Sequence, residues 1–139
     1  MPGASGTMSG PRSDSPEGFS PVTQDGGVLK KVITEGEEAE YEDDEETPPE
    51  QAMVSVHYTG SFPETGKKFE SSHDRGVPFG FTIGEGRVLK GWDVAVRTMK
   101  KGEVCEVILA PEYAYGKEGT RGIPGNQTLH FELELVEWI

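Results

Sequence analysis

The residues best placed to do chemistry in this chain are aromatic. Tyr58, Phe69, Phe79, Phe81, Trp92, Tyr113, Tyr115 and Phe131 fall in short apolar runs joined by glycine turns. Rings spaced this way can enclose a small apolar cavity that strips water from whatever enters it. A tyrosine buried in its wall needs a hydrogen-bond partner, which a ligand can supply. Tyr58, Tyr113 and Tyr115 carry such hydroxyls, and the latter two lie in a loop, so all three are expected on a pocket wall rather than in a core. Val88-Leu89-Lys90-Gly91-Trp92-Asp93 follows a turn at Gly84 and Gly86 and opens a helix, which makes Trp92 the expected floor.

Other chemistries fit less well. His57 and His130 fall on the outward sides of their strands by alternation, and the spacing of His57, His73 and His130 suggests no convergence on a metal, so no metal or cofactor is expected. Cys105 sits mid-strand on the apolar side and reads as a small core residue without a general base. Gly84-Glu85-Gly86-Arg87-Val88-Leu89 begins like a dinucleotide fingerprint, but Leu89 stands where the third glycine belongs and no parallel βαβ pattern surrounds it. Gly116, Gly119 and Gly122 lack the Gly-Lys-Ser/Thr ending of a phosphate loop.

A chain of 139 residues holds one core with room for disordered ends. The formal net charge of -12 is concentrated: residues 35–50 contain ten Asp and Glu and no Lys or Arg, and the remainder is nearly balanced. No basic face is available to displace counterions from phosphates, so nucleic-acid binding is not expected. A lone cysteine rules out an internal disulfide and suits a reducing, cytoplasmic setting. No apolar stretch approaches the roughly 20 residues of a membrane span, and residues 1–20 lack the apolar centre of a signal peptide.

The elements that must position the aromatics can be read from periodicity. Residues 1–25, rich in Gly, Ser and Pro, predict a disordered N-terminal arm whose Ser15-Pro16 and Ser20-Pro21 pairs are the number expected by chance. Residues 26–139 form the domain, with residues 35–50 as a solvated acidic loop insertion closed by Pro48-Pro49. Gly27–Ile33 predicts a first strand, and Val54, Val56 and Tyr58 alternate with Ser55 and His57 in a half-buried second. Further strands are expected over Lys67–Ser72, Phe79–Ile83, Glu103–Ala110 and Thr128–Leu135. Trp92, Ala95, Val96 and Met99 share one face of a helix over Leu89–Met99, ended by Lys100-Lys101-Gly102. Residues 111–127 form a long glycine-rich loop. The class is α+β, an antiparallel sheet wrapped around one short α-helix.

At this point the motifs resemble a known family. Val56-His57-Tyr58-Thr59-Gly60, Lys68-Phe69-Glu70-Ser71-Ser72, Arg75, Pro78-Phe79, Val88-Leu89-Lys90-Gly91-Trp92, Tyr113-Ala114-Tyr115-Gly116, Ile123-Pro124 and residues 128–135 are similar, in order, to those of the FKBP-type prolyl isomerases, the macrolide-binding immunophilins. The resemblance runs from about residue 27 to the end. It implies an antiparallel half β-barrel around the helix and a shallow pocket for a proline ring or a rapamycin-like macrolide. It makes Trp92 the floor, Tyr58, Phe79, Val88, Leu89 and Phe131 the walls, and Phe69 and Ile123 the rim. It has Tyr115 and the Leu89 N–H donate to ligand carbonyls, and Arg75 pair with Glu70 behind the wall.

The chain departs from the family pattern in three places. Glu70 replaces the usual aspartate, and its extra methylene bears on the hydrogen bonds to Tyr58 and Arg75. The loop over residues 116–128 is about one residue short, and the acidic insertion is additional. The resemblance implies a peptidyl-prolyl isomerase that assists folding of proline-containing polypeptides. It also implies macrolide inhibitors and a drug-dependent protein partner. The alternative is a module that binds proline segments or chaperone complexes without turnover; a third reading gives the acidic run a basic partner. A monomer is expected, either standing alone or as the first domain of a larger family member.

Overall fold

The computed structural model describes residues 16–38 and 45–139. The strands are β1 (Ser20–Pro21), β2 (Val28–Thr34), β3 (Met53–Ser61), β4 (Lys68–Ser71), β5 (Phe79–Thr82), β6 (Val104–Leu109) and β7 (Leu129–Trp138), and the helix α1 is Lys90–Val96. They form one antiparallel sheet in the order β1-β2-β6-β7-β3-β4, with β5 also on β3. β4 pairs with residues 59–61 of β3 and β5 with residues 53–56, so both lie along the edge of β3 that β7 leaves free. The α+β architecture of an open antiparallel sheet with one short helix is the expected one.

Alternation along the strands buries one face of the sheet. Val54, Val56 and Tyr58 of β3, Cys105, Val107 and Leu109 of β6, and Leu129, Phe131, Leu133 and Leu135 of β7 are all buried, and Trp92, Ala95 and Val96 of α1 pack against them. Burial pushes the Cys105 thiol up to about 12, in keeping with a core residue rather than a nucleophile. Along the helix, Gly91 approaches Leu109 closely enough that a Cβ would meet the leucine side chain.

Several boundaries differ from those read in the sequence. The helix stops at Val96, before the expected Met99. Thr98 Oγ1 donates to Ala95 O at 2.7 Å, while the Thr98 and Met99 N–H groups bond three residues back, to Ala95 and Val96. A hydroxyl that takes a helix carbonyl weakens the next turn. Lys100–Gly102 therefore lie in a turn beyond the helix and are not its basic last turn, and the Gly102 N–H donates to Leu135 O at 2.7 Å. β7 runs to Trp138 because β3 pairs with it as far as Val54.

Paired structure also begins earlier than composition predicts. Residues 1–15 of the expected arm, Ser15 among them, lie outside the described residues, but Ser20 and Pro21 pair with Lys30 and Leu29. Asp25 fixes the turn that follows: Oδ1 accepts from Thr23 Oγ1 at 2.6 Å and from the Gly27 N–H at 2.9 Å, and Oδ2 accepts from the Tyr113 hydroxyl at 2.9 Å. These donors, Thr23 first, lower the Asp25 carboxyl from 3.8 to about 2. A folded-state value below the unfolded one adds stability that is present above pH 3.8 and lost as pH falls towards 2. Asp25→Asn is therefore expected to flatten the acid limb of the melting-temperature curve between those pH values. An unchanged limb would remove Asp25 from the acid response.

A buried ion pair joins the helix end to the sheet. Lys30 Nζ of β2 lies 2.7 Å from Glu103 Oε2, with only 12% and 5% of the two side chains exposed. The contact is one of charge without hydrogen-bond alignment, since Oε2 has no aligned donor among the described residues. Lys30 also donates to Thr98 O and Oγ1 at 3.1 and 2.9 Å, and Glu103 Oε1 accepts from the Lys100 N–H at 3.1 Å.

Residues 39–44 of the acidic insertion lie outside the described residues. Its two stems are fixed: the Glu37 N–H donates to Lys101 O at 2.8 Å, Lys100 Nζ meets Glu38 at 2.6 Å and Glu46 at 3.9 Å, and Glu50 pairs with Arg97.

Candidate functional site

Four segments place their aromatic residues around one hollow. β3 contributes Tyr58, β5 Phe79, α1 Trp92 and β7 Phe131; centroid separations to the Trp92 ring are 4.7 Å for Tyr58, 6.0 Å for Phe79 and 5.3 Å for Phe131. The Phe79 and Phe131 rings meet the indole edge-to-face, at 73° and 88°, an arrangement favoured by the ring quadrupoles. Trp92 is 6% exposed and its Nε1 has no hydrogen-bond partner among the described residues. The strand geometry allows this closeness at Gly60, where a Cβ would lie 2.6 Å from Phe69 Cζ and 2.7 Å from Phe131 Cε1. Any side chain there would push the wall apart.

The hollow is a cavity of 420 Å³. Of the residues predicted for the site, Tyr58, Glu70, Phe79, Val88, Leu89, Trp92, Tyr115 and Phe131 line it. Phe69, Arg75 and Ile123 do not. Phe69 stands behind Phe131, edge-on at 5.8 Å, and with Ile123 lines an adjoining cleft. Arg75 lies on the outside of the Tyr58 wall.

That wall is held by a triangle of hydrogen bonds. The Tyr58 hydroxyl donates to Glu70 Oε2 at 2.6 Å, Arg75 Nη2 donates to the Tyr58 oxygen at 2.8 Å, and Arg75 Nη1 donates to Glu70 Oε2 at 3.2 Å. One oxygen of Glu70 thus serves both partners despite its extra methylene. Burial, and then the bond to Glu70, raise the Tyr58 phenol above its ordinary value.

Two donors of the site expected from the sequence have no acceptor among the described residues. Tyr115 has no hydrogen-bond partner among the described residues, and its phenol is raised by burial and then by the nearby Glu70 charge. The backbone N–H of Leu89 likewise has no acceptor among the described residues, while its carbonyl accepts from Trp92 and Asp93 at the start of α1. The loop carrying Leu89 is braced where the Gly84 N–H donates to Asp93 Oδ1 at 3.0 Å and Asp93 Oδ2 meets Arg97 at 3.3 Å.

Tyr113 corrects the expectation of a third tyrosine on the wall. It lies in a 3₁₀ turn over Pro111–Tyr113, is buried under the Lys90 ammonium at 5.0 Å, and spends its hydroxyl on Asp25. The 3₁₀ turn carries Tyr113 towards the β1–β2 turn, whereas Tyr115, beyond its end, lines the cavity. Gly86, Arg87, Lys90 and Ala114 also line the cavity although sequence reasoning did not assign them. Their signal was adjacency, since each neighbours a residue already assigned. His57 and His130 have partners as expected, Ser72 Oγ at 2.8 Å for His57 Nδ1 and Glu106 Oε1 at 3.1 Å for His130 Nε2.

A cavity with aromatic walls and with the Tyr115 hydroxyl and the Leu89 N–H unspent can take a compact apolar ring flanked by carbonyl oxygens. The described residues contain no cluster of three metal-ligating side chains, and no described helix is long and apolar enough to cross a membrane. Comparison with known proteins bears on the same region. A family model for the FKBP-type peptidyl-prolyl cis-trans isomerases matches residues 44–136. The chain is 50% identical over 116 residues to peptidyl-prolyl cis-trans isomerase FKBP4 of Mus musculus, covering 83% of the chain and 24% of the relative. It is 45% identical over 118 residues to FK506-binding protein 59 of Drosophila melanogaster, covering 84% and 25%. The chain therefore spans about a quarter of the length of these curated relatives. Among solved structures, the three FKBP domains of wheat FKBP73 align with a TM-score of 0.76 at 38% identity, covering 87% of the chain and 50% of that one. FkpA from Escherichia coli aligns at 0.74 and 32%, covering 89% and 53%.

Proposed function

The chain belongs to the FKBP-type peptidyl-prolyl cis-trans isomerase family, and we propose that its aromatic cavity seats the proline ring of a polypeptide and rotates the preceding Xaa-Pro bond, assisting protein folding. The observation that carries this reading is the pairing of an aromatic cavity with two unspent donors, Tyr115 and the Leu89 N–H.

Rotation about an Xaa-Pro bond faces a resonance barrier of about 18–20 kcal/mol and takes tens to hundreds of seconds unaided. The planar amide is the more charge-separated form, so it depends on water at its carbonyl more than the twisted form does. Walls of Tyr58, Phe79, Trp92 and Phe131 exclude that water and favour the twisted transition state. No bond is made or broken by the protein. Tyr115 and the Leu89 N–H hold carbonyls on either side of the rotating bond, so that the chain turns in place rather than leaving. The Glu70–Tyr58–Arg75 triangle keeps the wall from yielding as the substrate twists.

The same cavity is proposed to bind macrolides of the rapamycin type, with a protein partner recruited by the bound drug, and to work in the cytoplasm. Isomerisation of a Leu-Pro-Phe peptide, with and without rapamycin, tests both parts. Turnover that rapamycin blocks is the expected result, whereas tight macrolide binding without turnover would make the domain a recognition module. Tyr115→Phe removes one hydrogen bond worth on the order of 1 kcal/mol, so macrolide affinity should fall about fivefold. An affinity unchanged by that substitution would take Tyr115 out of the site.

A further inference from the structure

Beside the cavity runs a second cleft, of 270 Å³, lined by Phe69, Glu70, Tyr115, Thr120, Arg121, Gly122 and Ile123. Glu70 and Tyr115 line both spaces, so a chain seated in the cavity passes into the cleft over these two side chains. Building on the isomerase reading, we infer that the cleft beside Tyr115 is a subsite for an anionic side chain, carboxylate or phosphate, that the substrate carries close to its proline.

The argument begins with how Arg121 is held. The Thr120 N–H donates to Ile123 O at 2.9 Å and the Ile123 N–H to Thr120 O at 3.0 Å, which closes a four-residue turn. Gly122 at φ +83° occupies its third position, a conformation that glycine adopts without steric cost. The turn is anchored in turn by the Gly119 N–H on Tyr115 O at 3.1 Å and the Asn126 N–H on Gly116 O at 2.8 Å. Arg121 therefore stands at the tip of a fixed turn beside the cavity mouth, and it has no ion-pair partner among the described residues.

The surrounding charge points the same way. Arg87 and Lys90 line the cavity from the opposite loop; Lys90 faces the Tyr113 ring, and Arg87, 80% exposed, meets only Glu85 at 3.4 Å. Among the described residues Glu70 is the one carboxylate that lines either space, and its Oε2 is committed to Tyr58 and Arg75. A protein of formal net charge -12 thus presents cations on both sides of its binding mouth. Such a mouth attracts anionic segments and disfavours basic ones, an effect that salt weakens.

Three peptides that differ only in Glu, Gln or Lys next to proline test this, with a phosphoserine peptide as a fourth arm to separate phosphate from carboxylate. At low ionic strength kcat/KM should rank Glu above Gln above Lys, with a Glu-to-Gln ratio of about two- to fivefold, the scale of one exposed opposite charge a few ångströms away. The ratio should approach one in Arg121→Gln and at 1 M salt, and should persist in Lys101→Gln, which removes a cation outside both spaces. Equal rates for the three peptides, or equal loss of preference in Lys101→Gln, overturn the subsite and leave the isomerase intact. Turnover of none of them overturns the isomerase reading. The same ranking, read then as peptide affinity through tryptophan fluorescence, still decides the subsite.

Discussion

Glu103→Ala is expected to lower the unfolding free energy by about 3–5 kcal/mol, one of the largest losses available from a single substitution here. Removing one member of a buried pair strands the other charge away from water. The Thr98 oxygens that Lys30 retains set the loss towards the lower end of that range. Urea denaturation read by far-ultraviolet circular dichroism measures it. The double variant Lys30→Met with Glu103→Leu should recover most of the loss, because a well-packed apolar pair matches or exceeds a buried ion pair. A loss under about 1 kcal/mol in the single variant would mean that Lys30 reaches water without cost.

Trp92→Ala should abolish measurable turnover and weaken the fold by about 3–5 kcal/mol, as deletion of a buried tryptophan does. The two effects can be separated. The indole Nε1 has no partner among the described residues, so Trp92→Phe removes an unsatisfied donor along with some ring volume and leaves an aromatic floor. That variant should remain folded and keep part of its turnover and rapamycin affinity. Full activity in folded Trp92→Ala would show that the cavity is not where rotation occurs.

The strands were legible because one face of the sheet is buried, and burial writes a period of two into Val54–Tyr58, Cys105–Leu109 and Leu129–Leu135. The same alternation, extended one residue before β6, puts Glu103 on the inward side, but its partner Lys30 comes from a strand far away in the sequence, so their pairing is a property of strand order rather than of any local pattern. The helix was read three residues too far at its C-terminal end because Met99 continues the apolar spacing while the Thr98 hydroxyl ends the hydrogen bonding. Within the site, the motif residues could be named from their resemblance to a family, but Tyr113 and Tyr115 differ only in what lies opposite them. For Tyr113 that is Asp25, in a stretch whose composition gave no sign of order. The cleft at Arg121 was also unreadable, since it depends on a turn closing beside a wall from another strand.

The pinned stems of the acidic insertion bear on how this protein can be engineered. Glu37, Glu38, Glu46 and Glu50 fasten the two ends of the β2–β3 connection to the turn after α1, and none of its described residues lines the cavity or the cleft. With the ends fixed in this way, closure entropy rises by only about 0.6 kcal/mol for each doubling of the intervening length. A fluorophore-bearing peptide or even a folded reporter could be spliced there, giving a sensor whose recognition surface stays untouched.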